Sequence, residues 1–118
     1  MKKIYISHST SFDFKKELYQ PLKKAGLDYS FIYPHEKSSK PYPVKKLFLS
    51  KKCNLVIAEV SFPSTGQGIE LGWANVCDIP IICIYRKGTT HPQSIRLITK
   101  KIIKYGDNLD LIEKIKKI

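Results

Sequence analysis

Two short and almost uninterrupted apolar runs constrain the fold of this chain more than any other feature. Residues 54–60 (NLVIAEV) and 80–85 (PIICIY) have the composition of strands that are covered on both faces. A helical pattern at about residues 67–77 lies between them. Strands that alternate with helices at this spacing are typical of a parallel sheet.

Weaker signals continue the alternation on both sides of this pair. Strands are predicted at residues 3–7, 29–33 and about 101–105, and helices from Phe12 to Ala25, from 44 to 51, and from Asp107 onward. Pro21 should kink or divide the first helix, and Gly26 should end it. The sequence therefore predicts an α/β, three-layer, flavodoxin-like (Rossmann-like) five-stranded parallel sheet with helices on both faces, in a single domain spanning residues 1–118.

The charge of the chain is high but dispersed. The 118 residues include 21 Lys or Arg and 10 Asp or Glu, which gives a net charge of +11 with neutral histidines. Lysine pairs recur along the whole chain, and only two of the cations are arginine, the residue best suited to bidentate contacts with phosphates and base edges. This pattern disfavours a nucleic-acid partner, whereas the positive field favours a small anionic ligand.

Several other classes of protein lack support in the sequence. The longest apolar runs fall far short of the roughly 20 residues that cross a bilayer, and the first residues lack the apolar stretch of a signal peptide. We therefore expect no membrane partner and a cytoplasmic location. The three cysteines form no CxxC pair or metal-ligand pattern with His35 and His91, and GxGxxG and P-loop motifs are absent. No metal and no cofactor are expected.

The loops most suited to a ligand follow the first and third predicted strands. In a sheet of this order the ligand crevice lies between those strands, so it is bordered by residues 7–11 (SHSTS) and 61–68 (SFPSTGQG). Glu70 is predicted in the first turn of the next helix, whose positive end would keep the carboxylate ionised. Such a carboxylate can attack a sugar carbon or merely complement the helix dipole. Ser64 and Gln67 match a capping box, so Ser64 could serve only as a helix cap.

A longer motif surrounds Glu70. Residues 54–74, NLVIAEVSFPSTGQGIELGWA, resemble the signature of the nucleoside 2-deoxyribosyltransferase superfamily, especially its 2′-deoxynucleoside 5′-phosphate N-hydrolase branch. The resemblance implies an N-glycosidase that hydrolyses 2′-deoxynucleoside 5′-monophosphates through a covalent glycosyl intermediate. Base exchange, hydrolysis of a larger nucleotide such as NAD, and a non-catalytic nucleotide-sensing module remain as alternatives.

The resemblance also implies roles for individual residues. Glu70 would be the nucleophile that attacks C1′, with Tyr5 beside it as a second catalytic residue. Ser64 would contact the 5′-phosphate, where transferases that act on unphosphorylated nucleosides tend to have an acidic residue. Gly66 and Gly68 would let the backbone close on the ligand, although each could serve the turn alone.

Three further residues complete the predicted binding site. Ser9 fits the family's phosphate loop after the first strand. His8, at the end of that strand, could donate a hydrogen bond to a phosphate, or face solvent. Ser94 falls where the branch has a serine that reaches into the neighbouring subunit's site, which implies a homodimer; an exposed loop serine is the alternative.

The chain departs from the family pattern at several positions. Lys46 stands where the family usually has an aspartate that helps to protonate the departing base. The reaction would then need another proton donor, such as Glu36, His35 or water, or a base that leaves easily. His8 and Ser11 stand in place of a glycine and an arginine in the first loop. Asn54 replaces an aspartate at the start of the third strand.

Overall fold

The sheet has the order expected from the sequence. A computed structural model of the chain describes residues 2–38 and 40–118. Five parallel strands are arranged in the order β2-β1-β3-β4-β5. They are β1 (Lys3–His8), β2 (Ser30–Ile32), β3 (Leu55–Glu59), β4 (Ile81–Arg86) and β5 (Ile102–Tyr105). All residues of β3 are buried, as its uninterrupted apolar sequence predicted. The flavodoxin-like fold is confirmed.

The first predicted helix changes its hydrogen-bond pattern next to Pro21 but is not interrupted there. A π-helical turn at Lys15–Tyr19 leads directly into α1 (Gln20–Lys24). Proline has no N–H, so the series of bonds that reaches Gln20, whose N–H donates to the Lys15 carbonyl, does not continue at Pro21.

The other helices lie close to their predicted positions. They are α2 (Val44–Leu49), α3 (Thr65–Val76) and α4 (Asn108–Lys116), with a 3-10 helix at Gln93–Leu97 between β4 and β5. Asp107 caps α4 by accepting a hydrogen bond of 2.8 Å from the Asp110 N–H. Among the described residues no helix has the length and apolar composition to cross a membrane.

Helices cover the sheet on both faces, and each face has its own apolar core. On one face, α2 and α3 pack against alternate strand residues; this core includes Tyr5, Val56, Ala58, Cys83, Val44, Phe48, Leu71 and Ala74. On the other face, the first helical region and α4 cover the intervening strand residues; this core includes Ile4, Ile6, Ile57, Ile84, Leu18, Leu22, Leu111 and Ile115. The division follows from the period of two in a strand, which sends successive side chains to opposite faces.

This arrangement places the carboxyl ends of β1 and β3 at the point where sheets of this order open a ligand crevice. The two strands are neighbours, with Ser7 opposite Ala58 and His8 opposite Glu59. The chain leaves β1 toward the face covered by α1, and it leaves β3 toward the face covered by α3. The two loops therefore separate, which is the geometry that opens a ligand site in sheets of this kind.

Candidate active site

Glu70 lies against the end of β1, on the face that α3 covers. The Ser7 hydroxyl donates a hydrogen bond of 3.0 Å to Oε2 of Glu70. Tyr5 is on the same face of β1 two residues earlier and is fully buried. Its hydroxyl makes no hydrogen bond of normal geometry within the described residues. Burial, and then the neighbouring Glu70 carboxylate, raise the pKa of Tyr5 well above its ordinary value. The structure thus brings together the two residues predicted to be catalytic and adds Ser7.

The prediction that the positive end of the helix keeps Glu70 ionised is wrong. Ser64 caps α3, which begins at Thr65, so Glu70 is in the second turn and no acidic residue occupies the first. The favourable effect of the helix dipole falls off beyond the first turn. Burial raises the pKa of Glu70, and the neighbouring hydroxyl groups of Ser7 and Tyr5 act in the opposite direction. The hydroxyl groups, rather than the helix end, favour the ionised carboxylate.

Gln67 is a site residue that the sequence analysis assigned only to helix capping. Its backbone N–H donates to Oγ of Ser64 over 3.3 Å, as a cap requires. Its side chain does not return to Ser64 and instead donates to the backbone carbonyls of Glu59 (2.7 Å) and Ser7 (3.3 Å). Only the first half of the capping box is therefore formed. No local sequence signal could have distinguished these partners.

Ser64, Gly66 and Gly68 are exposed at the start of α3. Neither glycine has a positive φ, and a Cβ added at either would meet no atom within 4 Å. Backbone geometry and packing therefore do not require glycine at these positions. The first N–H groups of a helix have no partner within it, and an anion can accept hydrogen bonds from them. The open space above these residues is compatible with the predicted approach of a ligand.

His8 and Ser9 lie on the opposite side of the crevice, and both are buried. Nδ1 of His8 donates to the Ser9 carbonyl over 2.7 Å, so Nε2 is left to accept a hydrogen bond from the Tyr19 hydroxyl. Burial lowers the pKa of His8 to about 4, which makes the ring neutral near pH 7. The hydroxyl of Ser9 pairs with that of Ser11 over 2.8 Å. Both ring nitrogens of His8 therefore have partners within the chain, and the ring does not face solvent as the alternative held.

Ser94 is not part of this cluster. It is exposed on the 3-10 helix at Gln93–Leu97, in the connection between β4 and β5. Leu97 at the end of the same turn is 86% exposed. The side chain remains free to contact another molecule.

Lys46 is exposed on α2 beside the site. It lines a cavity of about 650 Å³ together with Tyr42 and Trp73. The Tyr42 ring lies 6.0 Å from that of the buried Tyr5, centroid to centroid, and the residues that line the cavity do not include Tyr5 or Glu70. Trp73 is one helical turn beyond Glu70.

The other two groups proposed as proton donors differ in their surroundings. Glu36 forms an ion pair with Lys23. The buried Nδ1 of His35 has no hydrogen-bond partner within the described residues. The His35 ring lies 5.6 Å from that of His8. In residues 2–38 and 40–118, no group of three or more His, Cys, Asp or Glu side chains is placed to hold a metal ion.

Comparison with known proteins confirms the resemblance found in the sequence. A stretch of 44 residues is 41% identical to "Putative 2'-deoxynucleoside 5'-phosphate N-hydrolase 1" of Syntrophotalea carbinolica. The match covers 37% of this chain and 31% of that relative. No family model matches the chain.

Solved structures share the fold over nearly the whole chain. The CMP N-glycosidase BcmB of Clostridium botulinum has a TM-score of 0.68 at 22% identity, over 98% of both chains. A conserved protein from Enterococcus faecalis V583 has a TM-score of 0.66 at 17% identity, over 99% of this chain and 98% of that one. A response regulator from Burkholderia multivorans has a TM-score of 0.53 at 16% identity, over 99% and 94%. The same fold thus occurs with different functions, and the argument for function has to come from the site.

Proposed function

We propose that this chain is a nucleotide N-glycosidase that hydrolyses the N-glycosidic bond of 2′-deoxynucleoside 5′-monophosphates. The observation that carries the proposal is the half-buried carboxylate of Glu70 beside the carboxyl end of β1, which accepts a hydrogen bond of 3.0 Å from the Ser7 hydroxyl and has the buried Tyr5 beside it. The relatives named for nucleotide N-hydrolysis and N-glycosidase activity support the same class of reaction. The proposal includes the identity of the nucleotide and the covalent glycosyl intermediate on Glu70.

The reaction follows from the chemistry of a carboxylate next to an anomeric carbon. Glu70 attacks C1′ while the bond from C1′ to the base nitrogen breaks, and the base leaves with the electron pair and takes up a proton. Water then attacks C1′ of the glycosyl ester, gives up a proton, and releases deoxyribose 5-phosphate and the free carboxylate. The Ser7 hydroxyl holds one carboxylate oxygen so that the other can face the sugar.

The base needs a proton donor as it leaves. Lys46 is exposed at the position where the family has an acid, and Glu36 pairs with Lys23. Nδ1 of His35 is buried and has no partner within the described residues. We assign the proton to His35 on this ground.

The phosphate is assigned to the start of α3. Ser64 can donate its hydroxyl hydrogen while its oxygen accepts from the Gln67 N–H. The exposed amides near Gly66 supply further donors, and the net charge of +11 attracts an anion. Ser9 borders this crevice from the β1 side, and His8 supports the Ser9 backbone.

Incubation of the purified chain with a panel of deoxynucleoside and ribonucleoside monophosphates tests the proposal. Release of free base together with deoxyribose 5-phosphate, both quantified by chromatography, would support it. A labelled free base that appears in nucleotide would identify base exchange instead. Calorimetric binding of nucleotide with no product after long incubation would identify a sensing module, and release of nicotinamide from NAD would identify a larger substrate.

Substitution of Ser64 by aspartate separates phosphate binding from helix capping. Aspartate is as good an N-cap as serine, so the free energy of unfolding should be unchanged. Its charge would repel a 5′-phosphate, and we expect KM for the nucleotide to rise by about tenfold or more, equivalent to about 1.4 kcal/mol. Turnover of the matching deoxynucleoside, which lacks the phosphate, serves as the internal control. Equal losses on both substrates would remove Ser64 from the phosphate site.

The predicted homodimer remains a proposal, and the exposed apolar residues support it. Ile69 and Val76 on the outer face of α3 are 49% and 81% exposed, and Leu97 lies close in sequence to Ser94. Burial of such side chains against a second copy would be favourable. We expect sedimentation to give twice the mass of one chain, and Ser94→Ala to raise KM without dissociating the dimer. A monomer at assay concentration would contradict this prediction.

A further inference from the structure

One side-chain amide joins the three elements that form the site. Gln67 is only 5% exposed. Its Nε2 donates to backbone carbonyls near the carboxyl ends of two neighbouring strands, those of Ser7 in β1 and Glu59 in β3. Parallel strands are already joined by their own backbone hydrogen bonds. The additional contact fixes α3 relative to both strand ends at the point where the crevice opens.

The anchor on the β3 side is itself held in place. The Glu59 side chain is 1% exposed; Oε1 accepts from the Ser61 N–H over 2.6 Å and Oε2 accepts from the Tyr105 hydroxyl. The backbone carbonyl that receives the Gln67 amide therefore belongs to a residue with little freedom to move. Movement at the start of α3 is resisted from β3 as well as from β1.

Ser7 connects the same amide to Glu70. Ser7 offers its carbonyl to Gln67 and its hydroxyl to Glu70, and Gln67 and Glu70 are neighbours on α3, three residues apart. We propose that Gln67 is a positioning residue that holds the Glu70 carboxylate against the Ser7 hydroxyl. The catalytic consequence rests on the proposed function, whereas the positioning itself does not.

The polarity of Gln67 supports this role. An apolar side chain of similar volume could fill the same space without the cost of burying an amide. Helix capping does not explain the amide, because the cap uses only the backbone N–H of Gln67. Both N–H groups of the side chain are directed at strand ends.

Loss of the Gln67 contacts should also change the ionisation of Glu70. Burial raises the pKa of Glu70, and the Ser7 hydroxyl opposes that rise. If α3 moves away from β1, the Ser7 bond weakens while most of the burial remains. The pKa of Glu70 should then rise further.

Gln67→Met tests the inference because methionine has similar length and volume but no donor. The matched control is Ala74→Gly, which weakens the same helix at a buried position without touching the strand ends. The Glu70 carboxyl is titrated by ¹³C NMR in both variants and in the natural chain, which requires no enzymatic activity. Steady-state kinetics then measure kcat and KM for the deoxynucleotide.

We expect Gln67→Met to raise the Glu70 pKa and to lower kcat by about tenfold, with little change in KM. Ala74→Gly should lower the melting temperature but leave the titration unchanged. Should Gln67→Met not fold, Gln67→Asn, whose amide is one methylene too short, should shift the titration in the same direction. A Glu70 titration in the folded variant equal to that of the control would overturn the inference. A shifted titration in a chain that releases no base would uphold it and reject the proposed function.

Discussion

Substitution of Glu70 by glutamine should reduce base release by at least about a thousandfold. Glutamine keeps the shape and can still bond to Ser7, but it has no charge with which to attack C1′. Because burial opposes ionisation of Glu70, its neutral replacement should also be tolerated by the fold. The expected phenotype is therefore loss of kcat with an unchanged or slightly higher melting temperature.

Chromatography of free base under saturating nucleotide measures this effect. Glu113→Gln is the control, because that carboxylate is 63% exposed on α4 and pairs with Lys116 at the surface. Its loss should leave turnover unchanged. Base release by Glu70→Gln at the natural rate would show that another group attacks the sugar.

His8 should make the stability of the protein strongly dependent on pH. Its pKa is lowered from 6.5 to about 4 by burial, while the backbone contact with Ser9 acts in the opposite direction and His35 adds to the lowering. Since the unfolded chain binds the proton more readily, the stabilisation is complete above pH 6.5 and is lost as the pH falls toward 4. At about 1.4 kcal/mol per pH unit, this interval corresponds to about 3 kcal/mol.

Urea denaturation at a series of pH values checks this prediction. The comparison is with His8→Gln, whose side chain can accept a hydrogen bond from the Tyr19 hydroxyl but does not titrate. The natural chain should lose about 3 kcal/mol more than the variant between pH 7 and a pH below 4. The raised pKa of Glu70 changes the free energy of unfolding with pH in the opposite direction. Glu70 is present in both proteins, so its effect cancels in the difference. Parallel curves would show that His8 is already accessible to protons in the folded state.

Local patterns were sufficient for most elements and for the position of the crevice. The uninterrupted apolar sequence of residues 54–60 identified the central strand, and Pro21 marked the place where the first helix changes from π-helical to α-helical. The start of α3 was misplaced because its first residues, Thr65 and Gly66, carry no apolar periodicity. Its beginning is set by the hydrogen bond from the Gln67 N–H to Ser64. That difference of two residues moved Glu70 out of the first turn.

Residues far apart in sequence make the contacts that define the site. Ser7 and Glu70 are separated by 63 residues, and Ser7 and Gln67 by 60. Their meeting depends on the register of β1 against β3 and on how α3 packs across both. The sequence placed Ser7 and Gln67 in the two loops that border the crevice, but loop membership does not specify partners.

The sequence by itself determined the order of strands and helices along the chain, and it predicted the edge of the sheet at which a ligand site would open and Glu70 as the central carboxylate of that site. These follow from periodicity, turn residues and short motifs, which depend on neighbours along the chain. Only the tertiary structure decided that Ser7 binds Glu70, that Gln67 ties α3 to two strands, and that the His8 ring is enclosed and neutral. Hydrogen bonding and desolvation depend on which distant groups exclude water from a side chain, and that is known only once the chain has packed.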